Sequence, residues 1–308
     1  MARGHRPVAF AVLDQAGRTR RLKRLARLAL AEYDVPATTL TLLPNGWNTN
    51  FRVDHDHVLR LRTTTPEFAE AETTWLTALA ADTTLGVPVP VPTRTGEHVT
   101  TATTPDVPGR RTCVLYRWVE GRFHGKSLSA TDVRKVGEFT AHLQRHGKTM
   151  PPLARNRVDT LPDHTAQLAA DLHSPEAGVL FERAITRITT TLADLGNAAH
   201  GLIHADLHQE NFLFHRGEVR AIDFDDCGYG HHLYDLAATI SELDDPTLRA
   251  PLLEGYRAVS PLEHEEALDD LILLRRLQLT TWIVQERHVP QFRGTWAATL
   301  DRTVALLR

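Results

Sequence analysis

Residues that could do chemistry are concentrated between positions 201 and 230. His204, Asp206 and Asn211 stand in the spacing His-x-Asp-x-x-x-x-Asn. A further carboxylate, Asp223, follows twelve residues after the asparagine. Transfer of a phosphoryl group from ATP requires a carboxylate that orients the attacking hydroxyl and accepts its proton, and oxygen ligands that hold Mg²⁺ against the phosphates. Asp206 could be that carboxylate, and Asn211 and Asp223 could be those ligands.

The segment between Asn211 and Asp223 predicts the geometry that this chemistry needs. Two apolar runs, 212–214 and 219–222, flank a polar turn at 215–218, which is a pattern typical of a β-hairpin. Because the second strand of a hairpin returns beside the first, Asp223 would come to lie next to Asn211. A plainer alternative, in which these polar residues only cap helices and form turns, stays open on the sequence alone.

Phosphate groups also need a cation, and the N-terminal part of the chain offers arginines for that purpose. In the predicted strand 58–62, the alternation of side chains puts Arg60 and Arg62 on one face. Glu72, in the next predicted helix, is in phase with Trp75 and other apolar residues, so we expect a buried carboxylate that needs a partner. We predict Arg60 as this partner; a purely structural ion pair is the alternative.

The elements that would position these residues fall into two parts, and the predicted fold class is α+β. Residues 1–119 are expected to form a β-rich lobe with an antiparallel sheet, with strands at 38–43, 49–54, 58–62 and 111–119, a turn at 44–46, and a helix over 66–81. Residues 120–308 are expected to form a mainly helical lobe, with helices at 129–146, 176–195, 233–243, 246–258 and from 261 to near the end.

Composition and charge exclude several classes of protein. The net charge of −3 leaves no general nucleic-acid footprint. No apolar run approaches the roughly 18 residues that a membrane-spanning helix needs. Cys113 and Cys227 are too few for a disulfide framework. We therefore expect a cytoplasmic protein that binds neither nucleic acid nor membrane; the sequence does not predict its oligomeric state.

Acidic residues are unevenly distributed and are dense between His232 and Asp270. Ten of them stand in this stretch, against Arg249 and Arg257: Asp235, Glu242, Asp244, Asp245, Glu254, Glu263, Glu265, Glu266, Asp269 and Asp270. A negative surface of this kind could attract a cationic acceptor. Exposed helix faces in a mildly acidic protein are the alternative explanation.

Several segments together resemble the aminoglycoside phosphotransferase and homoserine kinase-like family, whose members have a bilobal, protein-kinase-like fold. The resemblance covers most of the chain, and its most specific segments are LIHADLH at 202–208, AIDFDDCG at 221–228 and LYDLA at 233–237. Weaker similarity lies in NTNFRV at 48–53, VLRL at 58–61, ETTW at 72–75, LGVPVP at 85–90 and LYRWVEG at 115–121. The resemblance implies an ATP- and Mg²⁺-dependent kinase that phosphorylates a hydroxyl group.

The same resemblance implies roles for individual residues. Asp206 would be the catalytic aspartate, supported by His204, and Asn211 and Asp223 would bind Mg²⁺. Asp235 would anchor the structure around them.

ATP would lie between the two lobes, according to the same resemblance. Its adenine would bond to backbone near Arg117, Trp118 and Val119, and it would be covered by Val58, Leu213 and Ile222. Two features depart from the commonest kinase pattern: Arg60 stands where a lysine is usual, and the loop 45–48 is poor in glycine.

Other functions remain possible on the sequence. A metallohydrolase could use His204, Asp206 and His208 as ligands, since nitrogen and oxygen donors of this kind suit zinc or iron. A nucleotide-binding protein that acts only through a protein partner is a second alternative. For a kinase, the acceptor could be a small amino sugar or amino alcohol, or a Ser or Thr hydroxyl of a peptide.

Overall fold

The structure is a computed structural model that describes residues 10–44, 48–196, 199–289 and 292–308. The chain divides into two compact units: unit 1 consists of residues 1–121 with 152–154, and unit 2 of residues 122–151 and 155–308. The functional division predicted between residues 119 and 120 stays a prediction. The predicted turn at 44–46 and the glycine-poor loop at 45–48 fall mostly outside the described residues.

Unit 1 is built on a five-stranded antiparallel sheet in the order β1-β2-β3-β5-β4. Its elements are α1 (Gln15–Leu30), β1 (Leu40–Leu42), β2 (Thr49–Val53), β3 (His57–Arg62), α2 (Pro66–Asp82), β4 (Val99–Thr104) and β5 (Val107–Arg117). The predicted antiparallel sheet with a helix is confirmed. Strand β4 was missed, because only Val99 and Ala102 interrupt its threonines and no apolar alternation marks it.

One face of the sheet and helix α1 share an apolar core. Leu25 and Leu30 of the helix are buried together with Phe51 and Val53 of β2. The helix begins at an aspartate cap, where the Gly17 N–H donates to Asp14 Oδ1 at 2.7 Å, which satisfies one of the free amides of the first turn. This packing fixes the strands that carry the charged residues of unit 1.

Unit 2 is mainly helical, as predicted. Its helices are α3 (Ala130–Gly147), α4 (Thr165–Leu172), α5 (Pro175–Leu195), α6 (Leu233–Ser241), α7 (Arg249–Arg257), α8 (Leu268–Gln285) and α9 (Trp296–Leu306). The prediction of one helix from residue 261 to near the end is wrong, since α8 and α9 are separate. Pro290 and Gly294, which disfavour helix interiors, stand between them in the sequence. The short helix α4 was not predicted.

Helices α3 and α7 approach each other so closely that glycines are required. A Cβ atom on Gly137 would lie 2.0 Å from the Leu252 carbonyl oxygen, and one on Gly255 would lie 1.9 Å from that of Arg134. Both distances are far below van der Waals contact, so no larger residue fits without moving a helix. The two backbones are therefore in direct contact, and α3 is held rigidly within unit 2.

Four short strands of unit 2 form two antiparallel pairs: β6 (His200–Ile203) with β9 (Gly228–His231), and β7 (Phe212–His215) with β8 (Glu218–Ala221). The β7–β8 pair is the predicted hairpin. Its two-residue turn has Arg216 and Gly217 at φ angles of 51° and 82°, both left-handed, which matches the turn that fits the twist of a hairpin. None of the helices in the described parts of the chain has the length and apolar content of a bilayer span.

Candidate active site

The loop that follows β6 carries His204 and Asp206, and a buried carboxylate holds its backbone. Asp235, on α6, accepts hydrogen bonds from the N–H of His204 at 3.2 Å and of Ala205 at 2.7 Å. Gln144 of α3 donates a third hydrogen bond to the same carboxylate at 3.0 Å. Ala205 has a left-handed φ of 69°, which is uncommon for a residue with a side chain. Three donors therefore fix a strained turn just before Asp206.

His204 is fully buried, and both of its ring nitrogens are engaged. Nδ1 accepts a hydrogen bond from the Asp206 N–H at 3.3 Å, and Nε2 lies 3.1 Å from the Ile222 carbonyl oxygen. Burial lowers the pKa of His204, although the nearby carboxylates of Asp235 and Asp206 oppose this effect. The ring is thus a neutral bridge between the loop and the residue after β8.

The Asp206 carboxylate is held through both of its oxygens. Oδ2 accepts a hydrogen bond from Asn211 Nδ2 at 2.9 Å and lies 3.4 Å from Nε2 of His208. Oδ1 forms an ion pair with Arg275 of α8. Burial raises the pKa of Asp206, but the hydrogen bond with His208 and the charge of Arg275 outweigh burial and hold the pKa below its usual value. The carboxylate is therefore ionised at neutral pH, as a proton acceptor must be.

Asn211 and Asp223 are brought together by the hairpin. The Ile222 N–H donates to the Asn211 carbonyl oxygen at 2.8 Å, which extends the β7–β8 ladder by one step. Asp223 follows with a left-handed φ of 66°. The side-chain nitrogen of Asn211 is occupied by Asp206, so its amide oxygen is the atom that could bind a cation. Their binding of Mg²⁺ stays a prediction.

The turn after β8 gathers further negative charge. The side chain of Asp226 is exposed. Partial desolvation by neighbouring protein atoms, followed by the charges of Asp206, Asp225 and Asp223, raises the pKa of Asp226 to about 6. Such mutual repulsion is the environment that a divalent cation would relieve, and carboxylate and amide oxygens are the ligands that Mg²⁺ prefers. The donor set of this cluster therefore fits Mg²⁺.

Zinc or iron fits these residues less well. In the described residues, no group of three or more His, Cys, Asp or Glu side chains is arranged to hold a metal ion. The proposed ligand His204 has both nitrogens engaged, so the set His204, Asp206 and His208 cannot converge on one ion without breaking these contacts. Mg²⁺ needs fewer protein ligands, because it keeps water and binds substrate phosphates.

In unit 1, Glu72 is buried as its helix phase predicted, with 1% of its side chain exposed. The predicted contact with Arg60 is present, at 3.8 Å between Nη1 and Oε1. A second arginine is closer: Arg62 Nη1 lies 2.6 Å from Oε2. The Tyr116 hydroxyl donates to Oε1 at 2.9 Å. The sequence had put Arg62 on the same strand face as Arg60 but had not identified it as the main partner of Glu72.

The residues predicted to contact adenine are only partly available for hydrogen bonding. The Arg117 N–H donates to the Val89 carbonyl at 2.8 Å, and the Trp118 N–H donates to that of Asp56 at 2.7 Å. A base could therefore use the carbonyl oxygens of these two residues but not their amides. Val58 and Val119 of unit 1 and Ile222 of unit 2 are half-buried, and Leu213 of unit 2 is buried in β7. Their contacts with a nucleotide stay predictions.

The acidic stretch after His232 is largely occupied within unit 2. Among the described residues, at least seven of its ten acids have partners there: Asp235 with backbone amides and Gln144, Asp245 with Thr247, Glu254 with Arg134, Glu265 with Arg257, Glu266 with His264, Asp269 with Arg249, and Asp270 with Arg187. This pairing favours the alternative of solvated helix faces and removes most of the stretch from consideration as an acceptor site. Glu242 differs, because it acts near Asp206. Burial lowers the pKa of His208, but the hydrogen bond with Asp206 and the charge of Asp206 outweigh burial and raise this pKa, and the charge of Glu242 adds to the rise.

Sequence reasoning missed Arg275, although a usable signal was present. On α8, Arg275 lies four residues after Leu271 and seven after Leu268, both fully buried, so it is in phase with the apolar face of the helix. The same argument identified Glu72. A charge on an apolar helix face needs a partner, and the partner here is 69 residues away in sequence.

The fold and this arrangement define a phosphotransferase. The chain belongs to the phosphotransferase enzyme family, whose sequence profile matches residues 39–271. The predicted resemblance and the protein-kinase-like fold are thereby confirmed.

Individual relatives are kinases of small molecules. The chain is 28% identical over 229 residues to a homoserine kinase from Cupriavidus necator, covering 68% of this chain and 66% of the relative. The chain thus spans just under two thirds of that relative, and other curated kinases match over 27% or less of their length.

Two solved structures are similar over almost the whole chain. One is a microcompartment-associated aminopropanol kinase, with 28% identity, 92% of this chain and 96% of that chain covered, and a TM-score of 0.78. The other is an amicoumacin kinase in complex with AMP-PNP and Ca²⁺, with 19% identity, 95% and 96% covered, and a TM-score of 0.76. At its lower identity, the second similarity is evidence of the fold alone.

Proposed function

We propose that this protein is an ATP-dependent kinase that transfers the γ-phosphoryl group of ATP to a hydroxyl of a small acceptor that carries an amino group. The observation that supports it most is the Asp206 carboxylate, ionised and held by three side chains beside Asn211 and Asp223. Its setting matches the needs of phosphoryl transfer, in which the protein mainly positions groups and stabilises charge.

In the proposed reaction, Asp206 orients the acceptor hydroxyl and takes its proton as the oxygen bonds to the γ-phosphorus. The bond between this phosphorus and the bridging oxygen breaks, and ADP leaves with that oxygen. Asn211 and Asp223 would hold Mg²⁺, which neutralises charge on the phosphates when it is bound. In unit 1, Arg60 is the proposed cation for the α- and β-phosphates, and Glu72 keeps it in place.

An amino-bearing acceptor is supported by two observations. The relatives include kinases named for homoserine and aminopropanol, which are amino compounds with a hydroxyl group. In addition, Asp226 and Glu242 add negative charge near Asp206 and His208, where an ammonium group could be attracted. A Ser or Thr residue in a peptide was the alternative acceptor, and none of the similar proteins described above is named for a peptide substrate.

The test is phosphate transfer from labelled ATP, with Mg²⁺, to a panel of acceptors. The panel pairs 1-amino-2-propanol, ethanolamine and homoserine with uncharged diols of similar size, and it includes an aminoglycoside and a serine-containing peptide. We expect an amino-bearing acceptor to exceed its matched diol in kcat/KM by about 10-fold or more, the factor that about 1.4 kcal/mol of binding provides. Equal use of amine and diol would reject the cationic acceptor, and transfer to none of them would reject the proposed function.

Two variants locate the amino group. Asp226→Asn should raise the KM for the amino-bearing acceptor several-fold while changing that for ATP less. Asp244→Asn, an exposed acid of the stretch after His232, is the matched control and should leave both KM values within about twofold, as expected of a screened surface charge. If Asp244→Asn raised the KM for the acceptor and Asp226→Asn did not, the acceptor site would have to be assigned to the stretch after His232.

A further inference from the structure

Arg275 lies on the buried side of α8 and contacts a carboxylate from a distant part of the chain. The residue is 8% exposed, and its guanidinium pairs with Oδ1 of Asp206. The other oxygen of this carboxylate is held from within its own loop, by Asn211. The loop alone thus fixes one oxygen, and a helix distant in sequence fixes the other.

Arg275 is itself held in place by a chain of polar groups. Burial lowers the pKa of the Arg275 guanidinium, but the charges and hydrogen bonds of Tyr234, on α6, and of Asp206 outweigh burial and raise it. The Tyr234 hydroxyl donates to the Gln278 side-chain oxygen. Gln278 Nε2 in turn donates to the carbonyl oxygens of Val158 at 2.8 Å and Thr160 at 2.7 Å. Asp206 is therefore connected through two helices to a backbone segment outside its loop.

The planar fork of arginine suits this position, because it can bond to a carboxylate and a hydroxyl at the same time. Lysine would bring the charge without the fixed geometry. An ionised carboxylate has about four lone-pair positions, so the contacts with Arg275, Asn211 and His208 leave room for an acceptor hydroxyl. Arg275 also brings a permanent positive charge to the carboxylates of Asp206 and Asp226.

We propose that Arg275 is a positioning residue, which holds the Asp206 carboxylate through Oδ1 in the orientation that receives the proton of the acceptor. The inference rests on the proposed function for its kinetic part only. The contact itself is a property of unit 2 and can be tested without turnover. A pair that served only to stabilise the fold would lower stability on removal, yet would leave kcat of the folded protein nearly unchanged.

The kinetic test compares Arg275→Met, Arg275→Lys and the control Arg276→Met. The control removes the same charge from the adjacent, half-buried position of the same helix. Loss of positioning should lower kcat in Arg275→Met by about 100-fold, as small misplacements of reacting groups do, with the KM for ATP within about threefold. Arg275→Lys should recover part of this loss, and Arg276→Met should resemble the wild type. A kcat within threefold of the wild type in Arg275→Met, or a raised acceptor KM with unchanged kcat, would overturn the proposal.

The second test needs no activity: a double-mutant cycle of Tm values with Asp206→Asn and Arg275→Met. If the two side chains are coupled, Arg275→Met should shift Tm clearly less in the Asp206→Asn background than in the wild type. Equal shifts in both backgrounds would refute the contact and with it the proposal. If the wild type phosphorylates no acceptor while the cycle shows coupling, the proposed function is rejected. The contact between Arg275 of α8 and Asp206 would then still be supported.

Discussion

Glu72 in unit 1 and Asp206 in unit 2 are both carboxylates held by arginines, but their surroundings differ. Glu72 and Arg62 each have 1% of their side chains exposed, whereas Asp206 has 19% and Arg275 has 10%. Two arginines and a tyrosine hydroxyl surround the single negative charge of Glu72. Around Asp206 the balance is reversed, because the carboxylates of the turn after β8 lie near it.

This difference distinguishes a structural carboxylate from one that can react with a substrate. A carboxylate that is fully buried and surrounded by more than one cation cannot contact a substrate. Its ion pairs instead fix the positions of the side chains around it. A carboxylate that keeps some exposure within an excess of negative charge can receive a proton and attract cations. The role of a buried carboxylate therefore depends less on the type of its partner than on the balance of charge and the solvent exposure around the carboxylate.

The largest expected effects come from removing each carboxylate in turn. Asp206→Asn should lower kcat by about 1,000-fold, since it removes the proton acceptor, and should lower the free energy of unfolding less than Glu72→Gln does, because the pair of Asp206 with Arg275 is more exposed than that of Glu72 with Arg62. Glu72→Gln should instead lower the free energy of unfolding by about 3–5 kcal/mol, the cost of breaking a buried ion pair. Steady-state kinetics and urea unfolding of both variants measure these quantities. Stability loss in Asp206→Asn equal to that in Glu72→Gln would erase the distinction.

A smaller effect distinguishes the two arginines of β3. Arg62→Met leaves Glu72 without its nearest cation and should cost about 3 kcal/mol of stability. Arg60→Met, at the more distant and more exposed position, should cost about 1 kcal/mol or less, but should raise the KM for ATP. Urea unfolding and ATP titrations of the two variants, measured side by side, test this division. If only Arg62→Met raised the KM for ATP, Arg62 and not Arg60 would be the cation for the phosphates.

A further effect, of intermediate size, concerns acid. Burial, followed by the charge of His264, lowers the pKa of His231 to about 4, and burial, followed by the charge of Lys148, lowers that of His232 to about 3. A neutral buried histidine stabilises the fold above its unfolded pKa near 6.5, and this contribution is lost progressively as the pH falls from about 6.5 toward the folded value. We expect the free energy of unfolding to be about 2 kcal/mol lower at pH 5.5 than at pH 7.5.

Acid should therefore weaken unit 2 before it affects the Glu72 cluster. Burial raises the pKa of Glu72, but the charges of Arg62 and Arg60 outweigh burial and lower it to about 2, so its contribution is lost only as the pH falls from about 4.5 toward 2. Replacing His231 and His232 together by Asn should reduce the difference between pH 7.5 and 5.5, measured by urea unfolding. An unchanged difference would assign the acid sensitivity to other groups.

The parts of the site that sequence could predict are those that depend on local order. The β7–β8 hairpin follows from two apolar runs and a short turn, and the burial of Glu72 follows from helix phase. Its nearest partner, Arg62, was missed because Arg60 and Arg62 share a strand face and only side-chain packing distinguishes them. The helix phase of Arg275 would have indicated its burial, but its partner Asp206 is far away in the chain, and no local pattern identifies such a partner.

The contact between α3 and α7 affects how variation in this chain should be interpreted. Gly137 and Gly255 have no room for even a methyl group, so a saturation library should lose every substitution there, alanine included. Such intolerance would look like that of a reacting residue, although neither glycine carries a functional group. At these two positions, invariance among relatives would record available space and not catalysis.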